Sequence, residues 1–484
     1  MSGLPEGWAF ARLDELADIN PKQSFADDLD AGFVPMSHAP TNFLDKLRFD
    51  SRPWGDIKKA YTNFQDGDVI FAKVTPCFEN GKAAFVDGLP NRIGAGSSEF
   101  YVLRPATEDI SAKYLLAVIK SRDFLLQGAA NMTGAVGLRR VPKQFVQNYT
   151  VPVPPAAEQT RIAEKLDALL AQVDTLKTRI DSIPALLKRF RQSVLVAAVS
   201  GRLTEEWRAE NTGINPTEQI ETILKDRLSS SKSKKAPASH LKNEEYEIPS
   251  TWCWVSLDSL AAKIVDGTHH TPTYVGNGVP FISVKDIRDG VIDFTNTKFI
   301  TTEEHAELCK RCHPEKGDLL ITKSGTIGRT AIIATNNEFS LFVSVALIKP
   351  ASNLVNMEFI NIALRKWIGE IDVSSRIVGS AIKNLHLTDM KVLAIPFAPL
   401  TEQTEIVRRV EQLFAFADQL EAKVAAVKTR IDHLTQSILA KAFRGELVPQ
   451  DPNDEPASVL LERIKAQCAA APKAKRSRKT NGDL

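Results

Sequence analysis

The residues best equipped for chemistry lie in the second half of the chain. Cys309-Lys310-Arg311-Cys312-His313 has the C-x-x-C-H spacing of a c-type haem attachment site, and His305, one helical turn earlier, adds another metal donor. Covalent haem of that kind belongs to exported proteins, and the opening MSGLPEGWAF has no basic stretch followed by an apolar run. Structural zinc needs two more ligands at regular spacing, whereas Cys77, Cys253 and Cys468 are remote in sequence. These cysteines and His313 therefore read as helix-surface and core residues. His269 and His270 have the side chains of general bases. Ser324-Gly325-Thr326-Ile327-Gly328, with Lys323 and Arg329 beside it, reads as a tight strand connection whose hydroxyls, amides and cations suit an anionic ligand. It is not a phosphate-binding loop of the G-x-x-x-x-G-K-[ST] kind, a spacing that occurs nowhere in the chain. Glycine fingerprints for a dinucleotide or adenosylmethionine, an Asn-Pro-Pro-aromatic segment, a G-x-S-x-G elbow and an H-E-x-x-H helix are all missing from the sequence. Polar loops without a catalytic constellation point to a binder.

Those loops need elements to position them, and the chain writes its longest element twice. Glu158 to Ser200 opens EQTRIAEKLDALL, and Glu402 onward opens EQTEIVRRVEQLF. Ile162, Leu166, Leu169, Val173, Leu176, Ile180, Ile183, Leu187, Phe190 and Val194 follow one another at steps of four and three, the seam of a coiled-coil helix. Ile406, Val410, Leu413, Ala417, Leu420, Val424, Val427, Ile431, Leu434 and Ile438 repeat that seam at a constant offset. A seam this narrow cannot satisfy itself, so the tethered copies are expected to pair. Two copies of one unit related by a pseudo-two-fold axis present the same surface to each other, which makes the pair antiparallel. Pro184 lies inside the first seam where the second has Lys428. An interior proline costs about 3 kcal/mol or more, so a kink or short break is expected near Asp181 to Pro184.

The duplication extends beyond the helices. LPEGWAFARLDELA near the start and IPSTWCWVSLDSLA share Trp8 with Trp252, Leu13 with Leu257, and Asp14 with Asp258. DGDVIFAKVTP at Asp66 to Pro76 resembles KGDLLITKSGT at Lys316 to Thr326. Between these landmarks the halves are largely unlike, a shared frame around two variable inserts. No histidine pair occurs in the first half, which argues against a shared histidine chemistry.

With 484 residues, 43% hydrophobic and 25% charged, the chain reads as globular and multidomain. No window of eighteen apolar residues suggests a membrane span, and five scattered cysteines fit a reducing cytoplasm. A net charge of +2 means that any nucleic-acid surface must be local.

In chain order, residues 1–155 read as a first mixed domain, with strands at VIFAKV and SEFYVLRP and a helix from Ala112 to about Leu126. The prolines of Val151 to Pro155 are expected to deny donors to any sheet. Residues 156–201 form the first long helix. Residues 202–247 form a connector with an amphipathic piece and the Ser/Lys-rich run SSSKSKKAPAS. A second mixed domain (248–398), the second long helix (399–445) and an amphipathic segment with a basic tail (446–484) complete the chain. The fold class is α+β: two mixed α/β domains separated by a pair of long antiparallel coiled-coil helices, with an internal pseudo-two-fold repeat.

The LPEGW or IPSTW opening, GTHHTP, KGDLLITKSGTIG, the proline run into P-x-x-E-Q, and helices closing S-I-L-x-x-A-F-x-G-x-L together resemble a type I restriction-modification specificity subunit. The first half departs from that pattern, with Val74-Thr75-Pro76-Cys77 in place of the SGTIG loop. The resemblance implies two target-recognition domains, each reading half of an asymmetric, split DNA site, and helices that fix the spacer and dock methyltransferase subunits. It implies no catalysis and no bound cofactor in this chain. Two methyltransferase subunits and the restriction subunits would carry the chemistry with S-adenosylmethionine, ATP and Mg.

Polar loops then become candidate double-stranded DNA contacts, suited to phosphate positioning and base-edge readout. They are Lys73, Lys82, Arg92, Arg139 and Arg140 in the first domain. In the second they are Thr268, His269, His270, Lys285, Lys323, Ser324, Thr326, Arg329, Lys383 and Asn384. The rival reading is a coiled-coil scaffold with two protein-binding globular ends.

Overall fold

The computed structural model describes residues 3–135, 137–211, 216–230, 236–240, 246–288, 290–370 and 385–470. Its two compact units cut across the chain order: one is Met1–Asp181 with Val424–Leu484, the other Ser182–Lys423. The long helices Ala156–Val199 and Leu400–Phe443 each contribute to both units.

In the first unit Ile162, Leu166, Leu170 and Val173 share one core with Ile431, Ile438, Leu439 and Ala442. Lys177 pairs with Asp432 at 3.8 Å and Asp181 with Lys428 at 2.6 Å. The partner number falls as the first rises, so the helices are antiparallel here. In the second unit Arg191 meets both Asp418 and Glu421, at 2.6 and 2.8 Å. The first helix runs through Pro184 without the expected break. Helical turns on both sides, with Leu187 and Val194 buried beyond it, hold the segment helical despite the lost backbone bond.

Within the first unit, one antiparallel sheet has the order Ala17–Ile19, Phe100–Pro105, Val69–Ala72, Ala83–Phe85. A second sheet runs Asp50–Pro53, Asp30–Val34, Ile93–Gly96, Thr62–Gln65, with a parallel pairing between Asp30–Val34 and Ile93–Gly96. Val69–Ala72 is buried at all four positions, as expected of its unbroken apolar run. The helix expected from Ala112 to Leu126 is two helices, Ala112–Ile119 and Arg122–Ala130. Ser121 separates them by accepting the Phe124 amide as a new N-cap.

The second unit repeats the order of the first sheet and three of the four strands of the second, although its insert is unlike in sequence. Its first sheet runs Ala261–Asp266, Val345–Pro350, Leu319–Thr322, Thr330–Ile332. Its second runs Lys298–Ile300, Val279–Ile282, Ser340–Leu341, again with one parallel pair. Inward-facing apolar residues at matching strands are enough to specify that order, and many sequences satisfy the requirement.

The expectation that Val151 to Pro155 stays outside any sheet is corrected. Thr150–Val153 pairs antiparallel with Ala9–Arg12, placing Pro152 opposite Phe10, and Ala394–Phe397 pairs likewise with Cys253–Ser256. A two-stranded ribbon has open edges, where the missing proline N–H breaks no ladder bond.

The duplicated motifs lock each ribbon to a helix start. Trp8 Nε1 donates to Glu158 Oε2 at 3.0 Å, and Trp252 Nε1 to Glu402 Oε2 at 2.8 Å. Gln159 accepts the Ser111 amide and donates to the Pro154 carbonyl; Gln403 does the same with Asn356 and Ala398. The helix Ala457–Ala470 returns to the first unit, burying Leu460, Leu461 and Ile464 in the core that holds Trp8. The helix Pro216–Ser230 serves the second, with Ile223 buried and Arg227 bonded to Asp258.

Candidate nucleic-acid interface

In the second unit the loops singled out by sequence converge at one end of the first sheet. Gly267 continues from the strand Ala261–Asp266 against the chain at Leu341, so closely that a Cβ would fall 1.9 Å from the Leu341 carbonyl oxygen. Only glycine fits there. Thr268 N donates to Leu341 O and Val343 N to Thr268 O, which fixes the GTHH turn. The hairpin loop between Leu319–Thr322 and Thr330–Ile332 lies beside it. Gly325 and Gly328 adopt φ of +73° and +87°, a region closed to most side chains.

Asp266 is the hub of this end. It is 2% exposed, and its carboxylate meets Lys323 Nζ at 2.7 Å, Arg311, and His269 Nε2 at 3.3 Å. Burial pushes its pKa up, but the ion pairs with Lys323 and His269 outweigh it and hold the carboxyl below its ordinary value. A carboxylate so held stays ionised at neutral pH. It organises cations. His270 Nε2 lies 3.7 Å from Glu304, and Thr268 Oγ1 is 2.7 Å from His270 Nδ1. Lys285 and Thr326 stand exposed nearby, with Val284 held to Ser344 Oγ and within 3.6 Å of where a Gly325 Cβ would sit.

The first unit builds its equivalent end from different residues. The loop after Val69–Ala72 meets a small hairpin, Thr133–Ala135 with Leu138–Arg140. Thr75 N and Oγ1 both donate to Arg139 O, and Val141 N donates to Lys73 O, so Lys73, Arg139 and Arg140 are neighbours. Arg140 forms a two-pronged pair with Glu99 at 2.8 and 2.9 Å, holding that carboxyl below its ordinary value. Arg139 is 3.5 Å from Glu79. These pairs are half-exposed and open to solvent screening.

The two units share the strand order of one sheet and carry chemically different polar ends. The type I restriction modification DNA specificity domain family matches residues 5–185 and again 249–428. The chain belongs to the type I restriction-modification DNA specificity family. It is 37% identical over 362 residues to the type I restriction enzyme EcoBI specificity subunit of Escherichia coli, covering 72% of this chain and 70% of that one. It is 30% identical to the EcoKI specificity subunit of Escherichia coli K12 over 98% of both chains. The crystal structure of the HsdS subunit from Thermoanaerobacter tengcongensis shares the fold, with a TM-score of 0.57, 21% identity, and coverage of 92% and 98%.

Against this type I specificity fold, the residues singled out by sequence do not all share one place. Lys73, Arg139, Arg140, Thr268, His269, His270, Lys285, Ser324 and Thr326 lie at the loop ends just described. Lys323 lies there too, but it is 5% exposed and committed to Asp266, so it supports the loops and is not presented to a ligand. Thr268 is also buried, and Arg329 is half-buried with its guanidinium on the Ile287 carbonyl. Lys82 immediately precedes the strand Ala83–Phe85 but turns its ammonium to the Met36 carbonyl. Arg92 is displaced from the group. Its carbonyl accepts the Asp66 amide ahead of Val69–Ala72, whereas Lys73 follows that strand. Lys383 and Asn384 lie outside the described residues.

The seam of this specificity fold is uneven. Leu176, Val427 and Leu434 are exposed, while Leu170, Leu195, Leu439 and Ala442 are buried outside the assigned spacing. Where a helix lies against a domain it buries a stripe wider than a two-helix seam, and where two helices face only each other the cover is thinner. Sequence reasoning missed Asp266 and Arg311. An acidic residue directly before a Gly-Thr-His-His turn is the signal that was available for the first; Arg311 was hidden inside the cysteine motif.

That motif is structural. Cys309 ends the helix Thr302–Cys309, and burial pushes the Cys312 thiol up to about 12, leaving it protonated at neutral pH. His305 is buried against Ser340 Oγ at 2.9 Å. Among the described residues no group of three or more His, Cys, Asp or Glu could hold a metal ion, and no helix is long and apolar enough to cross a membrane.

Proposed function

We propose that this chain is the DNA-recognition subunit of a type I restriction-modification complex, itself without catalytic activity. Each domain reads one half of an asymmetric split site in double-stranded DNA. The observation that carries this reading is the repeated sheet topology with non-equivalent polar ends: Lys73, Arg139 and Arg140 on one, His269, His270, Lys285 and Thr326 on the other. Exposed cations position phosphates, and hydroxyls and histidines read base edges. The antiparallel helices fix the spacer and dock two methyltransferase subunits, to which restriction subunits add. S-adenosylmethionine, ATP and Mg serve those partners and not this chain, and the assembly works in the cytoplasm.

The test is selection from a random duplex library by this chain with its methyltransferase partner, across a salt series. A steep salt slope with enrichment of one split, asymmetric sequence is expected. Absence of enrichment at every salt concentration would sink the DNA reading in favour of a protein-binding scaffold.

A further inference from the structure

The internal repeat leaves one site filled in the second unit and open in the first. In the second unit Tyr246, in the segment Y-E-I-P, packs its ring edge-on against Trp254 with centroids 4.8 Å apart. Its hydroxyl donates to the Val199 carbonyl at 3.2 Å, and Lys366 Nζ lies 4.2 Å from its ring centre. By the repeat, Trp254 corresponds to Phe10 and Val199 to Phe443. Lys366 corresponds to Ser121, because Ser111 and Asn356 hold equivalent bonds to Gln159 and Gln403. Phe10, Phe443 and Ser121 all line one groove of the first unit, of about 550 Å³. The residue corresponding to Tyr246 is Ser2, which has no ring. Phe10 is 62% exposed and Leu126, also in the groove wall, 59% exposed.

We propose that this groove of the first unit is a docking site for an extended, acidic segment of a partner polypeptide that inserts an aromatic side chain. The ring takes the place that Tyr246 takes in the second unit, edge-on to Phe10 and between the helix ends carrying Ser121 and Phe443. The charge of the occupant follows from the rim and the internal template. Arg122 and Arg444 border the groove; Arg444 is paired with Glu446 and Asp123 is engaged by Tyr149 and Gln127, so Arg122, with no acidic partner among the described residues, is the rim cation left for an occupant. In sequence, Tyr246 is flanked by Glu244, Glu245 and Glu247. An aromatic anchor in an apolar slot with charged flanks is the usual economy of peptide recognition. The inference is independent of the DNA reading, since none of these residues belongs to the polar loop ends.

The test uses the full chain and a synthetic peptide of its own sequence LKNEEYEIP, with benzoylphenylalanine replacing the tyrosine for photo-crosslinking. Saturable crosslinks within residues 118–126 or 436–444 are expected. Phe10→Ala, an exposed position, should weaken the underivatised peptide at least five-fold, and Ala440→Trp, which fills the groove from the helix side, should do the same. Replacing the peptide tyrosine by alanine should abolish binding, and replacing its glutamates by glutamine should weaken it at least three-fold. Crosslinks confined to the surroundings of Trp254, binding indifferent to both groove variants, or full affinity of the glutamine peptide would overturn the proposal.

Discussion

Trp8 and Glu158 are joined by an indole N–H to carboxylate bond, 3.0 Å long and 150 residues apart in sequence, in a buried setting. Trp252 and Glu402 repeat it at the same separation, yet the two glutamates differ in what else they hold. Glu402 Oε1 accepts from Thr204 Oγ1 at 2.8 Å and from Arg208 Nε at 2.9 Å. Glu158 Oε1 is buried with no hydrogen-bond partner among the described residues, because the positions matching Thr204 and Arg208 are Val448 and Pro452.

The same substitution should therefore cost unequally. Glu402→Gln leaves Arg208 in a largely buried pair without its anion, at a cost of about 3 kcal/mol. Glu158→Gln keeps an acceptor for Trp8 and relieves a buried, under-satisfied carboxylate, so its effect should stay within about 1 kcal/mol. Denaturant unfolding of both variants, with each unit followed separately, measures the difference; equal costs would contradict the asymmetry.

Glu158 also predicts a pH dependence. Burial raises its pKa, only partly countered by the Trp8 bond and Arg161. A carboxyl with a raised folded pKa binds more protons folded than unfolded, so its contribution to stability falls as pH rises from the unfolded value toward the folded one. The melting temperature of the parent minus that of Glu158→Gln should decrease as pH is raised from about 4.5. A difference that is flat or rising would show that the group is not destabilised by burial.

Buried and exposed members of the second domain's polar end should separate cleanly. Asp266→Asn removes the anion facing Lys323 and Arg311, and should destabilise the second unit by about 3 kcal/mol while degrading one half-site. Lys285→Ala should leave the melting temperature unchanged. If Lys285 meets a phosphate, it should lower the salt slope of DNA binding by about 1 without changing sequence preference. A stability loss in Lys285→Ala, or none in Asp266→Asn, would reverse these assignments.

The helices carry a prediction about spacing. Asp181 meets Lys428, so seven residues inserted after Asp181 and seven before Lys428 keep every seam residue in phase. The inserted helix adds about 10 Å, equivalent to about three base pairs at roughly 3.4 Å each. Sequencing of the methylated sites should show unchanged half-sites across a spacer about three pairs longer; an unchanged spacer at full affinity would mean the helices do not set it.

What the sequence by itself determined was whatever local spacing records. Steps of four and three gave the long helices, a constant offset gave the duplication of Trp8 and Trp252 around Glu158 and Glu402, and glycines at 325 and 328 marked a tight hairpin loop that the backbone angles explain. Tertiary structure alone decided which distant residues meet. Lys323 and Lys73 hold matching places after matching strands, but Asp266 buries the first while the second reaches the Ser98 carbonyl and the Tyr101 ring. Arg139 and Arg140 adjoin in sequence and pair with different acids, Glu79 and Glu99. Each long helix is one uninterrupted periodic segment, yet its two parts belong to different compact units, because burial is settled by the surfaces a helix faces and periodicity records only which side of it is apolar.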